Sequence, residues 1–307
     1  MMNAGVRRES ESRKMKLRLI VNPTAGRGRA AARISGAVTY LESRGAEVDL
    51  AESRDRDHLV ELSREPVNGE YDRVVACGGD GTLHWIVRSL DLATVTLAML
   101  PLGSGDDFAR VLGIPLDTRG ACDVIVDGEV REIDVALAND IRYLGVAGLG
   151  FDSEVARYAN ENVKHLRGPL VYLYSVFRVL SRFEPRRVTI VEDGVPRDQE
   201  IMFAVVGNTR QYGGGIRIVP TAVPDDRQLD LCVIDRCSRW ELLKALPLAY
   251  NGGHVKKKYV SIVRGESFGF RSDMALDVYA DGELLTTTPV TIGLTDQRLR
   301  FVAPHSK

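Results

Sequence analysis

Residues 74–87, "VVACGGDGTLHWIV", run from an unbroken apolar stretch into three glycines and an aspartate, then into a helical pattern. Leu83, Ile86, Val87 and Leu90 recur at i, i+3, i+4 and i+7, the stripe of an amphipathic helix. Gly78, Gly79, Asp80, Gly81 and Thr82 therefore read as a strand-to-helix turn, with Thr82 near the N-cap. A turn with so few side chains lets something come close to its backbone. A helix N-terminus offers unpaired N–H groups and the positive end of the helix dipole, so phosphate is the natural guest. Asp80 is poorly placed beside bare phosphate and well placed beside phosphate-bound Mg2+.

Working outward, the same device appears twice more. "NPTAGRG" (22–28) follows the apolar strand "KLRLIV" (16–21), and "PLGSGDDFAR" (101–110) overlaps the end of "VTLAMLPLG" (95–103). Between them lie a helix over 29–45 closed by Gly45, a strand "AEVDLAES" (46–53), a helix "RDHLVELSRE" (56–65) and the strand "YDRVVACGG" (71–79). A helix over 83–90 and a short one around 105–112 complete an alternation that predicts a largely parallel sheet with helices on its faces. Glycine loops at the carboxyl ends of successive parallel strands share the rim where open α/β folds bind ligands. No GxxxxGK[ST] is present, so this is not a P-loop. Gly26, Gly28 and Ala31 match a dinucleotide GxGxxA with Glu52 at the next strand end, but four residues including Pro23 separate the strand from the first glycine.

After about residue 132 the pattern changes to short strands separated by turn residues. Among them are "IDVALA", "IRYLGVA", "RRVTIVED", "QEIMFAVVGN", "QLDLCVID", "KYVSIVR", "ALDVYADGE", "PVTIGLTD" and "RLRFVAP", with helices near 151–183 and at 239–250. This spacing predicts a mostly antiparallel β-sandwich or barrel. The expected organisation is a flexible tail (1–15), an α/β nucleotide-binding domain (16–132) and a β-rich substrate domain (133–294). The segment at about 295–305 is a candidate to return to the first domain.

Composition narrows the classes. With 44% hydrophobic and 27% charged residues the chain is globular, and its net charge of −1 gives no reason to expect nucleic acid as a partner. No apolar stretch reaches the roughly 18 residues of a membrane span, and the polar first residues lack the apolar core of a signal peptide. Cys77, Cys122, Cys232 and Cys237 form no CxxC pair, and the five histidines show no metal spacing, which fits a reducing cytoplasm without structural zinc.

The ordered set NPxxG, GGDGT and PLGxxxDFAR resembles the diacylglycerol kinase catalytic domain family, which includes bacterial lipid kinases and sphingosine kinases. "GFDSEVA" (150–156), "GNTRQYGGGIRIVPTA" (207–222) and "YADGE" (279–283) resemble that family's later motifs, so the likeness covers about 17–303. The resemblance implies ATP with Mg2+ in a cleft between the domains. It implies nucleotide contacts from Asn22, Gly26, Gly78, Gly79, Asp80, Gly81, Thr82, His84, Gly103, Ser104 and Asp107, with Asp80 at the metal. It also implies that the "DGE" turn supplies the general base, here Glu283, with Asp281 beside it. Phosphoryl transfer asks for positioning, charge neutralisation and a carboxylate to take the hydroxyl proton, which suits this set.

Several positions depart from the family pattern. Asp106 stands where Asn is expected, His84 and Trp85 where Asn and Glu usually follow GGDGT, and Glu52 and Ser53 where a Thr is common. Arg227 replaces the glycine of a structural metal loop in which Asp226 is a candidate ligand. The implied substrate is a lipid such as diacylglycerol, met at a transient membrane surface on the inner face. "VKHLRGPLVYLYSVFRVLSRF" (163–183) offers Leu170, Tyr174, Phe177 and Leu180 among basic residues, either as an acyl-chain wall or membrane face or as a core helix with a solvated side. "HVKKKYV" (254–260) reads as a solvated loop. A soluble kinase of the NAD kinase type and a non-catalytic lipid- or nucleotide-binding protein stay open as alternatives, as does a homodimer.

Overall fold

The computed structural model describes residues 13–65, 70–162 and 169–305. Most of the expected tail, and Lys164 and Arg167 of the basic segment, lie outside the described residues.

The first domain contains strands β1 (Lys16–Val21), β2 (Glu47–Glu52), β3 (Arg73–Gly78), β4 (Thr96–Pro101) and β5 (Glu129–Ile133). Its helices are α1 (Arg29–Ser43), α2 (Arg56–Arg64), α3 (Asp80–Ser89), α4 (Asp107–Leu112) and α5 (Thr118–Asp127). The second contains β6 (Ala136–Ala138), β7 (Ile141–Tyr143), β8 (Val146–Gly150), α6 (Phe151–Asn162), α7 (Pro169–Leu180), β9 (Arg186–Glu192), β10 (Val195–Gly207), β11 (Leu229–Asp235) and α8 (Arg239–Ala249). It continues through β12 (Val260–Gly265), β13 (Ser267–Ser272), β14 (Asp277–Ala280), β15 (Glu283–Thr287) and β16 (Val290–Leu294). The last strand, β17 (Leu299–Ala303), crosses back into the first sheet, whose order is β2-β1-β3-β4-β17-β5.

In that sheet only β17–β5 is antiparallel. Every residue of β4 is buried, as a strand covered on both faces requires. The second sheet is antiparallel throughout, in the order β15-β14-β8-β10-β9-β13-β16-β6-β7, with β11 and β12 branching from β10. Side chains of β10 alternate between two cores. Ala204 and Val206 join Phe268, Phe270 and Val278, while Phe203 and Val205 join Phe151 and Val155 of α6, Val176 of α7 and Leu242 of α8. Among the described residues, helices thus cover only one face of this sheet.

Four local readings change. Helix α3 starts at Asp80 with Gly79 as its N-cap, so Thr82 sits inside the first turn, three residues past the N-cap rather than beside it. Helix α5 has no counterpart in the sequence reading. Its β-branched run Val124–Val126 looks strand-like, but Asp117 caps its start (Gly120 N–H, 2.8 Å) and Ala121, Cys122 and Ile125 are buried. The long helix expected over 151–183 is two helices, α6 and α7. "IRYLGVA" is two strands, broken where the amides of Leu144, Gly145 and Val146 turn to the carboxylate of Asp281.

Candidate active site

The glycines of the three loops have two different jobs. A Cβ at Gly79 would come within 2.9 Å of the Gly103 Cα, one at Gly103 within 2.6 Å of the Gly79 Cα, and one at Gly26 within 2.2 Å of the Leu102 carbonyl oxygen. At Gly78 it would strike the Thr82 side chain at 2.3 Å. These glycines let the loops pack on one another. The GxGxxA likeness therefore comes from a packing glycine, lying in a short 3-10 turn (Ala25–Gly28). Gly81 differs: a Cβ there would meet nothing within 4 Å. It faces open space, and its backbone is the part of the turn that a ligand can reach.

The loops are also tied by side chains. Asn22 Nδ2 donates to Thr82 Oγ1 at 3.1 Å, while Asn22 Oδ1 accepts from Thr24 N–H at 3.1 Å. No side chain caps α3, so the first amides of this ten-residue helix point toward the cavity without an internal partner. Asp80 turns away from its own helix and caps the next one. Its oxygens accept from the amides of Asp107 (3.1 Å) and Phe108 (3.1 Å), the first residues of α4. Burial, with Asp107 and Asp106 alongside, raises the Asp80 carboxyl from 3.8 to about 6. Burial likewise raises Asp106, which occupies a left-handed backbone position (φ 52°) and accepts from Gly103 N–H at 3.0 Å. Asp107 reaches across to the second domain, accepting from Gly214 N–H (2.6 Å) and Gln211 Nε2 (3.2 Å).

This concentration of carboxylate is what a divalent cation would relieve. Among the described residues no three acidic, histidine or cysteine side chains converge into a ready cage. Mg2+ does not need one, because it commonly takes one or two carboxylates and fills its shell with phosphate oxygens and water. Asp80 and Asp107 fit that use.

The opposite wall is the turn after β14. Asp281 (φ 53°) and Gly282 (φ 89°) both adopt left-handed backbone, which aims the Asp281 carboxylate inward and Glu283 into the cavity. Asp281 accepts from Leu144, Gly145 and Val146 N–H at 3.3, 3.4 and 3.2 Å and lies 3.3 Å from His84 Nδ1. The His84 side chain is 0% exposed and faces Asp281, although the residue borders the cavity.

Between these walls lies a cavity of about 1210 Å3, room for more than one ordinary ligand. It brings together the predicted residues of all three loops and the turn, except Gly78, which lies behind Thr82. Its lining from the first domain includes the polar Thr24, Ser53, Arg54, Asp55 and Arg56, and from the second the apolar Ala156, Val176, Ile216 and Leu246, with Tyr250. The sequence reading missed Gln211 and Gly214, although the Gly213–Gly215 run was a visible signal. It also missed Trp85, held between Arg56 (4.9 Å) and Arg88 (4.4 Å). That stack depends on α2 packing beside α3, and nothing in the local sequence announces it.

Asp226 is outside this cavity and does not fit a metal. Its carboxylate accepts Gln228 N–H (3.0 Å) and pairs with Arg264, which also pairs with Asp230 at 3.2 Å. Arg227 keeps a left-handed backbone (φ 61°) in the glycine's place, donates its amide to buried Asp134 (2.7 Å) and its guanidinium to the Thr295 carbonyl (2.8 Å). Arg264 already pairs with both Asp226 and Asp230, so the expected ligand role of Asp226 is corrected to that of an ion-pair partner.

An α/β domain and an antiparallel β domain thus share a cavity lined by all three glycine loops and by the Asp281–Glu283 turn. Residues 16–138 match the family description "Diacylglycerol kinase catalytic domain", and residues 145–303 match "YegS C-terminal NAD kinase beta sandwich-like domain". A diacylglycerol kinase of Mycobacterium tuberculosis (strain ATCC 25618 / H37Rv) is 32% identical over 311 residues, covering 99% of each chain. One of Bacillus subtilis (strain 168) is 27% identical over 295 residues, covering 95% of this chain and 97% of its own. The crystal structure of a diacylglycerol kinase from Bacillus anthracis str. Sterne has the same fold, with TM-score 0.72, 24% identity and coverage of 95% of this chain and 98% of that one. This chain belongs to the diacylglycerol kinase family and is, by that membership, a lipid kinase.

Proposed function

We propose that the protein transfers the γ-phosphoryl group of ATP to a hydroxyl of diacylglycerol or a closely related lipid. The observation that carries this reading is the single cavity lined both by the uncapped start of α3 at Gly81 and Thr82 and by Glu283 and apolar residues of the second domain. The nucleotide's phosphates take the α3 N-terminus. The lipid's chains lie against the apolar lining from α6, α7 and α8. Glu283 accepts the hydroxyl proton as the oxygen forms its bond to phosphorus, and the bond from phosphorus to the bridging oxygen of ADP breaks. A bound Mg2+, held by Asp80 and Asp107, would neutralise charge on the transferring phosphates. Asp281, Asn22 and Gly103 shape the turns that hold these groups.

Among the described residues no helix is long and apolar enough to cross a membrane. Contact with the bilayer is assigned to α7, where Tyr174 and Phe177 are exposed (44% and 52%) beside the exposed Arg178 and Arg182. That surface supports peripheral association with a bilayer, for which we propose the inner leaflet. The test is label transfer from γ-labelled ATP with Mg2+ to a panel of lipids in mixed micelles, using wild type, Glu283→Ala and Asp80→Ala. Label in one lipid, lost in both variants, is expected. No label in any lipid despite intact ATP binding would overturn the proposal.

A further inference from the structure

His84 stands where the family pattern has Asn, and its sequence position suggests contact with nucleotide. Its surroundings point elsewhere. The ring is buried at the second turn of α3, braced edge-on by Trp85 at 5.4 Å, with Nδ1 3.3 Å from Asp281 Oδ2. Nε2 is buried and has no partner among the described residues. An ionised carboxylate only accepts, and Asp281 already accepts three amides, so the bond to Asp281 requires the proton on Nδ1. Nε2 is then a buried acceptor without a hydrogen-bond partner among the described residues. This single bond joins the helix whose N-terminus faces the phosphate site to the turn that carries Glu283, two elements from different domains.

We infer that His84 is a positioning residue, which sets the place of Glu283 by holding Asp281 and thereby the 281–283 turn. The inference rests on the reading of Glu283 as the base. It also accounts for the exchange with Asn: Asn Nδ2 and His Nδ1 are both two bonds from Cβ and both donors, so either can make the bond to Asp281. A leucine or alanine cannot. A base displaced by about 1 Å loses up to about 100-fold in rate, and uniform binding of the nucleotide elsewhere is not touched by the displacement.

The experiment compares wild type, His84→Asn and His84→Leu for kcat and for the KM of ATP, alongside the 15N signals of the His84 imidazole in wild type and Asp281→Asn. His84→Leu is expected to lower kcat by about 10- to 100-fold with KM for ATP within about twofold, and His84→Asn to retain kcat within about threefold. The wild-type signals are expected to show the Nδ1–H tautomer, and Asp281→Asn to disturb it. Wild-type kcat in His84→Leu, or a raised KM at unchanged kcat, would overturn the inference. If wild type phosphorylates no lipid, the functional proposal fails by itself. The imidazole signals then decide: an Nδ1–H tautomer insensitive to Asp281→Asn, or an Nε2–H tautomer, removes the positioning bond.

Discussion

Asp80 and Asp281 face the cavity from opposite domains and use their carboxylates alike, each accepting backbone amides of a neighbouring segment. Their company differs. Asp80 is buried among other carboxylates, so its ionised form is held at a cost and its pKa stands at about 6. Asp281 shares its site with an imidazole nitrogen and three amide donors. The first arrangement leaves negative charge that a cation can satisfy. The second is complete within the chain, and what it supplies is a fixed turn. Similar hydrogen bonding thus leaves a carboxylate among other carboxylates on one wall and one surrounded by amides on the other.

The most severe challenge to that contrast falls on the residue the fixed turn presents. Glu283→Gln keeps shape and removes the base, and is expected to lower kcat by about 100- to 10,000-fold in the micelle assay, with ATP affinity by calorimetry unchanged. A large loss of ATP affinity would mean that the turn, too, belongs to the nucleotide site.

The charge on Asp80 gives a second, pH-dependent contrast. Because its folded pKa is raised from 3.8 to about 6, the folded chain binds this proton more tightly than the unfolded one. Its stabilising contribution is full below about pH 3.8 and is lost as pH rises through about 6. Binding of Mg2+ and nucleotide has the opposite sense and should weaken by about tenfold for each unit below pH 6, some 1.4 kcal/mol per unit. Calorimetry from pH 5 to 8, with thermal melts of wild type against Asp80→Asn, reads both trends. Binding that ignores pH would take Asp80 out of the metal site.

Two neighbouring glycines sharpen the difference between packing and openness. Gly79→Ala drives a methyl onto the Gly103 backbone and should cost about 1–3 kcal/mol of stability, seen as a lower Tm. Gly81→Ala meets open space, so Tm should hold while ATP affinity falls. The reverse pattern would exchange their roles. The smallest effect is expected at the periphery, where Phe177→Asp should weaken flotation with anionic vesicles and leave activity on short-chain, micelle-free substrate intact.

Much of this was legible locally. The strands and helices of the first domain follow from apolar periodicity, and Gly45 closes α1 at φ 86° as a helix-ending glycine does. The strands β5, β13 and β15 were not read, because short or glycine-interrupted runs give little periodic signal before their partners are known. Glycine itself was ambiguous: one motif contains Gly79, which packs on a loop 24 residues later in the chain, and Gly81, which packs on nothing.

The sequence alone determined the two-domain α/β-then-β order, the glycine loops and the acidic turn, because these depend on periodicity and on residue types with restricted backbone preferences. Only the tertiary structure decided that His84 turns to Asp281, that Arg264 pairs with Asp226 and Asp230 of the segment once read as a metal loop, and that Asp80 caps α4. Each of those pairings joins segments distant in the chain. Which partner a buried polar group finds is set by the packing of whole elements, and that information is not local.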